Sequence, residues 1–322
     1  MAGHGVSGID HRVHQRLPGR RVELNTRRRD AVGDDALQPD AMLVERFLPT
    51  RGRRTVGAWC FLDRFGPDDV AGTAGMHVAP HPHTGLQTVS WLLAGDVLHR
   101  DSLGSRQALG PGELNLMTAG RGISHSEESP ADHGAVLHGL QLWVALPQGS
   151  LATPPAFEHH NRLPVLQVPG ARATVLMGTL AGTTSPATAH TPLVAADVHL
   201  SGGAVLPLDP DWEYAVLPLA GAVGVDGVPV EPSELLYLGT GRTELALSTS
   251  GAGRLLLIGG EPFGEEIVMW WNFVGRTHED VEQARRRWQA ADAAFGTVSG
   301  FDGDRIPAPE LPPVRLRARG RR

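Results

Sequence analysis

The chain has 322 residues, a formal net charge of −6, 40 glycines, 25 prolines and one cysteine. Such a length is enough for two domains of about 100–150 residues each. The lone Cys60 excludes an intramolecular disulfide and a thiolate zinc cluster within one chain, and the acidic balance argues against bulk attraction to nucleic acid.

The N-terminus has no apolar core of the kind a secretory signal needs, and no stretch approaches the roughly 18 uninterrupted apolar residues of a membrane span. With a single cysteine, the expected compartment is a reducing cytoplasm. Residues 1–40 are polar and carry the run Arg27–Arg29. They read as a largely flexible segment or one short edge strand. The histidines there, His4, His11 and His14, have no partner carboxylate at ligand spacing.

From 41 to 150, short apolar runs alternate with turns: "TVGAWCFLDRF", "LQTVSWLLAG", "GELNLMTAG", "VLHGLQLWVAL". The runs last about four to eight residues and are bounded by Gly, Pro or Asp, the pattern of strands in a sandwich or barrel. "LPQGSLATPPAFEHH" breaks the pattern and reads as a linker. Residues 151–275 then repeat the strand-and-turn texture. "TVSWLLAGDVLHRDSLGSRQALGPGELNLMTAGRG" and "YAVLPLAGAVGVDGVPVEPSELLYLGTGRT" share the order strand, L-A-G, return strand, Pro-containing turn with E-L, strand and a closing Gly-Arg turn. An internal duplication of one β-domain is the simplest explanation.

Residues 276–296 predict a helix. Thr277 as N-cap and Asp280 three residues on form a capping box. Val281, Ala284, Trp288 and Ala291 make an apolar stripe at helical spacing, and Gly296 is a natural stop. The basic tail 297–322 reads as flexible.

The histidines carry the chemistry. Strand side chains alternate faces, so His81 and His83 in "HPH" project together, as do His125 and Glu127 in "HSE". On neighbouring strands roughly 5 Å apart, the two pairs bring three imidazoles and one carboxylate to one point. Three nitrogens and one oxygen suit iron(II), manganese, nickel, copper or zinc. In the duplicated half, His81 and His83 fall opposite Pro207 and Asp209, and His125 and Glu127 fall opposite Ala246 and Ser248. The scaffold is repeated and the candidate chemistry is not, which assigns the site to the first copy. His77, His99, His133, His138 and the cluster Glu158–His160 read as structural or solvent-facing, with His99 a candidate neighbour of the site. Gln87 stands where a carboxylate would have supplied a second acid.

"PHPHTGLQTVSWLLAGDVLHRDSLGS" followed by "PGELNLMTAGRGISHSE" resembles the signature of the pirins, a branch of the cupin superfamily. "RRTVGAWCFLDRFGP" and "EPFGEEIVMWWNFV" are also pirin-like, so the resemblance spans roughly residues 42–296. It implies an all-β bicupin, two tandem antiparallel β-barrels (double-stranded β-helices) with a C-terminal α-helix and metal in the N-terminal barrel only. It further implies one divalent metal per chain, iron in most members, on the residues matching His81, His83, His125 and Glu127. Many cupins, pirins included, carry an acid at the position of Gln87, a departure that leaves the four ligands in place.

Some pirins resemble quercetin 2,3-dioxygenase in activity. The implied function is O2-dependent opening of a flavonol ring, with Glu127 either a ligand only or also the base that takes the flavonol proton. Leu92, Leu114, Leu116, Met117 and Leu142 would suit a flat aromatic substrate, and are equally expected in an ordinary barrel core. Other pirins act on a protein partner. The alternative function is therefore a non-enzymatic, redox-dependent regulator that binds a transcription factor or a metabolic enzyme, with no direct contact to nucleic acid.

Overall fold

The computed structural model describes residues 15–23 and 43–322. His4, His11, His14 and Arg27–Arg29 lie outside the described residues. In the first half, a seven-stranded antiparallel sheet runs in spatial order Ala156–His160, Leu114–Thr118, Leu86–Ala94, Val136–Ala145, Trp59–Asp69, Leu43–Leu48 and Arg20–Glu23. A four-stranded sheet accompanies it in the order His77–His83, Ile123–Glu128, Val97–Asp101 and Arg106–Leu109. The second half repeats the plan. Its small sheet runs Ala204–Pro207, Glu244–Ser248, Val223–Val225 and Val228–Val230, the same connection order as the first. The duplication read from sequence is thus visible in topology.

The large sheets of the two halves pack on each other. This explains why runs such as Leu86–Leu92 are apolar or buried at every position rather than at alternate ones. One core cluster joins Trp59 and Leu142 of the first half to Leu217 and Ile258 of the second. Indole nitrogens tie the seam. Trp59 Nε1 donates to Val194 O and Gly259 O, both at 3.1 Å, and Trp91 Nε1 to Asp197 Oδ2 at 3.0 Å.

Three segments depart from the sequence-based expectation. The described residues of the N-terminal segment, 15–23, hold two short strands rather than one. Gln15–Pro18 pairs with Glu234–Gly239 of the second half, and Arg20–Glu23 pairs with Leu43–Leu48 of the first. The chain crosses between them at Gly19, where a Cβ would meet the Phe47 ring at 2.8 Å. The expected linker holds a strand, Ala156–His160, that pairs with Leu114–Thr118, so the chain stays with the first-half sheet to His160. The tail 297–322 is not loose. Ala308 is buried, Ile267 and Arg319 exchange backbone bonds at 3.0 Å, and Arg321 Nη1 lies 3.3 Å from Glu213 Oε2.

The helix spans His278–Gln289, with Thr277 and Asp280 forming the capping box. Val281, Ala284 and Trp288 are buried. Ala291 is not part of the stripe. It is exposed and turns the chain at φ 54°, and Gly296 ends a separate short 3-10 turn, Ala293–Phe295. No helix among the described residues is long and apolar enough to cross a membrane.

Candidate metal centre

Strand His77–His83 pairs antiparallel with Ile123–Glu128, and the register sets His125 opposite His81. The period of two then brings the His83 ring to the same face. Ring centroids lie 4.3 Å apart for His81 and His125, and 5.0 Å for the other two pairs. One nitrogen from each of the three rings falls within 4.8 Å of the others. All three are buried, at 7%, 1% and 1% exposure. Burial, which penalises the charged form, pushes His81 down to about 4 and His83 and His125 well below the usual histidine range. The rings are neutral donors at physiological pH.

Ring orientation follows from their hydrogen bonds. His81 Nδ1 lies 2.9 Å from Ala79 O, so Nδ1 carries the proton and Nε2 the lone pair. His83 Nε2 and His125 Nε2 approach to 3.1 Å. On its far side, His125 Nδ1 lies 3.4 Å from His99 Nδ1, and His99 Nε2 lies 3.2 Å from Asp101 Oδ2. Asp101 Oδ1 already accepts from Leu103 N at 2.9 Å and Ser105 N at 3.0 Å. One directional chain satisfies every contact. His99 Nε2–H donates to Asp101, His125 Nδ1–H donates to His99, and the His125 Nε2 lone pair faces His83. The sequence marks His99 only as a candidate neighbour of the site and gives no sign of Asp101. Both sit on Val97–Asp101, which pairs with the strand of His125 on its other edge.

Glu127 departs from the simple picture. A β-bulge between His125 and Glu127 slips the register, so Glu127 lies opposite Val78 on one side and opposite His99 on the other. It consequently groups within 4.8 Å with His99 and His125 rather than with all three predicted histidines. A ring that gives Nδ1–H to His99 has only Nε2 for a cation, which favours the His81 and His83 side for His125. Burial raises the Glu127 carboxyl above the usual range, opposed by the neighbouring His99 and a hydrogen bond from Ser90. Ser90 Oγ sits 3.2 Å from Glu127 Oε1 and 2.8 Å from Gln141 Oε1. One hydroxyl proton cannot serve both acceptors. With the Gln141 amide turned so that its nitrogen donates to Ser90, the hydroxyl donates to Glu127 and both contacts hold.

Gln87 faces away from this site. Its Nε2 donates to Thr118 Oγ1 at 2.9 Å and to Thr188 O at 3.0 Å. Cys60 is buried, and burial pushes its thiol up to about 12, so it offers no thiolate.

His81, His83, His125 and Glu127 all line one cavity of about 530 Å³. Its aromatic walls include Phe61 stacked on Trp143 at 4.0 Å, and Trp143 meets His83 edge-on at 5.2 Å. Phe65, Met76 and Trp271 extend the apolar lining, and Arg46, bridged to Asp63 at 2.7 Å, marks the polar side. Leu92, Leu114, Leu116, Met117 and Leu142 lie in the packed cores and not in this cavity. Of the other histidines, His77 packs on Phe301 at 4.9 Å, and His133 lies near Gly134 O and Thr73 O. His159 bonds Asn115 and His160 bonds Glu158.

The duplicated half supplies a control. Ala246 pairs with Val205, not with Pro207, so the pairing makes Val205 the counterpart of His81 and Pro207 that of His83. Ser248 pairs with Gly224, the counterpart of His99. None of these positions offers a ligand.

Two family models match the chain. The one described as Pirin covers residues 41–144, and the one described as the Pirin C-terminal cupin domain covers residues 195–294. A Pseudomonas aeruginosa protein provisionally named a quercetin 2,3-dioxygenase is 47% identical over 271 residues, 84% of this chain and 86% of that one. A pirin-like protein of Caulobacter vibrioides is 35% identical over 277 residues, 83% of this chain and 94% of that one. The crystal structure of a quercetin 2,3-dioxygenase from Acinetobacter baumannii matches with a TM-score of 0.86 at 40% identity, over 95% of this chain and 97% of that one.

Proposed function

The chain belongs to the pirin family and has its all-β bicupin fold of two tandem antiparallel barrels, and on that premise we propose that it is an O2-dependent dioxygenase that opens the ring of a flavonol such as quercetin. The proposed cofactor is one iron(II), held by His81, His83, His125 and Glu127. The observation that carries the reading is the meeting of three neutral imidazoles, two of them, His81 and His125, oriented by bonds on their far sides, in a cavity with aromatic walls.

The donor set fits such a group. With His125 Nδ1–H given to His99, the His125 Nε2 lone pair faces His83 Nε2 at 3.1 Å, so the two nitrogens must share a proton or a cation. Histidine and carboxylate without thiolate suit iron, nickel, manganese, copper or zinc, and elemental analysis of protein purified without a histidine tag decides among them. When bound, the metal would supply Lewis-acid and dioxygen chemistry next to the substrate oxygen, which would make the encounter local.

The protein's own groups do the rest. Glu127, which lines the cavity beside His125, would be the base that takes the flavonol hydroxyl proton. Gln141 and Ser90 fix the face that Glu127 presents. The Phe61–Trp143 stack, with the Arg46 guanidinium over the Phe61 ring at 4.4 Å, makes a rigid wall that would keep water from the reacting atoms. Iron-loaded protein should consume quercetin under O2 with the metal stoichiometric. Glu127→Gln should slow turnover by about 10²–10⁴-fold. If loaded protein is no faster than free iron and His125→Ala behaves identically, the dioxygenase reading fails.

A further inference from the structure

We infer that segment 305–309 is the substrate-selecting wall of the metal pocket: it sets how large an aromatic oxygen donor can be and still reach the histidines. The inference rests on the proposed metal pocket and deepens it. The segment lies beyond residue 294, the last one either family model matches.

Ile306, Pro307 and Pro309 line the same cavity as His81 and His83. Ile306 N donates to Pro80 O at 2.8 Å, one residue before His81, which seats the segment against the strand that carries the histidines. The Ile306 side chain packs on the cluster containing Met76 and Val78, which line the cavity too.

From behind, the helix holds the segment. Trp288 Nε1 donates to Ile306 O at 2.8 Å, Ala308 N donates to Gln289 Oε1 at 2.9 Å, and Arg285 Nε donates to Pro309 O. Arg305 lays its guanidinium over the Trp288 ring at 4.3 Å and donates to Trp288 O. Two prolines fix φ along the stretch and have no N–H to leave unpaired. So braced, the segment is a fixed wall and not a lid. Its cavity face is apolar, so it discriminates by shape and not by hydrogen bonds. Apolar pockets separate ligands by about 10–200-fold per methylene.

The test loads wild type, Ile306→Trp and Ile306→Ala with iron(III) and titrates each anaerobically with catechol and with 4-tert-butylcatechol. The catecholate-to-iron absorption band reports binding. Far-ultraviolet circular dichroism and elemental analysis check fold and metal content. Ile306→Trp should weaken the bulky catechol by about tenfold or more while catechol itself shifts by less than about threefold, and Ile306→Ala should move the ratio the other way. Should the Trp variant fail to fold, the Ala variant decides alone. A ratio unchanged in the folded, metal-replete variants overturns the wall. Failure of the dioxygenase reading looks different: wild type would bind both catechols with this size dependence and leave quercetin intact.

Discussion

Asp101→Asn is nearly isosteric, yet it should cost the centre much of its metal affinity. Asp101 Oδ1 is committed to Leu103 N at 2.9 Å and Ser105 N at 3.0 Å, so an asparagine there must keep its carbonyl oxygen on those two donors. Its amide nitrogen then faces His99 Nε2, where a carboxylate oxygen now lies at 3.2 Å. An amide donor forces the lone pair of His99 onto Nε2 and the proton onto Nδ1. That proton points at His125 Nδ1, 3.4 Å away, which already carries one. Either His125 gives up its proton on that side and places it on Nε2, removing the nitrogen aimed at the metal, or the two rings part and a buried N–H goes unpaired. Loss of such outer partners typically lowers metal affinity by about 10–100-fold. The 3.4 Å link is long, so the lower end applies: about tenfold, or ~1.4 kcal/mol. His99→Phe, which preserves the ring stack on Phe157 at 4.4 Å, should cost a similar amount. Competition titration against a chromogenic chelator at neutral pH measures both. If both variants hold metal within about twofold of wild type, far below the expected loss, the chain from Asp101 to His125 plays no part in positioning the ligand.

What the sequence made legible here was local and periodic. The pairs His81/His83 and His125/Glu127 could be read because alternation along a strand needs no knowledge of the fold, and all four line the same cavity. The capping box at Thr277 and Asp280 is equally local. His99 and Asp101 carry the same two-residue spacing, in "VLHRD", yet the sequence marks His99 only as a candidate neighbour and Asp101 not at all, because their meaning depends on a pairing register that joins distant strands. The bulge that turns Glu127 toward His99 is likewise a property of the pairing and not of "HSEE". The repeat alignment erred by two positions at the first histidine pair, since matching the L-A-G turns says nothing of where the preceding strand slides. The tail was hardest. Its prolines and arginines look like disorder, and its partners Pro80, Trp288, Ile267 and Glu213 could be named only once the fold had brought them together.

Two stability predictions follow from contacts outside the centre. Asp280→Ala removes the carboxylate that accepts from Arg276 N at 2.8 Å and Thr277 N at 2.9 Å, and should lower stability to urea by about 1 kcal/mol; an unchanged midpoint would show that the capping box is idle. Arg254→Ala strips Asp197, which is 1% exposed, of the fork that reaches it at 2.9 and 2.6 Å, leaving Trp91 Nε1 at 3.0 Å and the mostly solvated His199 at 3.7 Å. Removing one partner of a buried pair costs about 3–5 kcal/mol, and the partly exposed arginine places this case near 3. The pH dependence gives the sharper test. Burial pushes the Asp197 carboxyl up, but the hydrogen bonds from Arg254 outweigh it and hold the carboxyl below the usual range. A depressed folded value means that the pair's stabilisation is complete above the unfolded value of about 4 and is lost as pH falls through the folded one. In the variant, burial is opposed only by Trp91 Nε1 and His199, so the carboxyl is held down less and the acid-sensitive part of the stabilisation shrinks. The gap between wild type and Arg254→Ala should therefore be widest at neutral pH and shrink as pH falls below about 5, as urea unfolding at several pH values would record. A gap independent of pH would mean that the arginine acts through packing along the seam and not through the charge of Asp197.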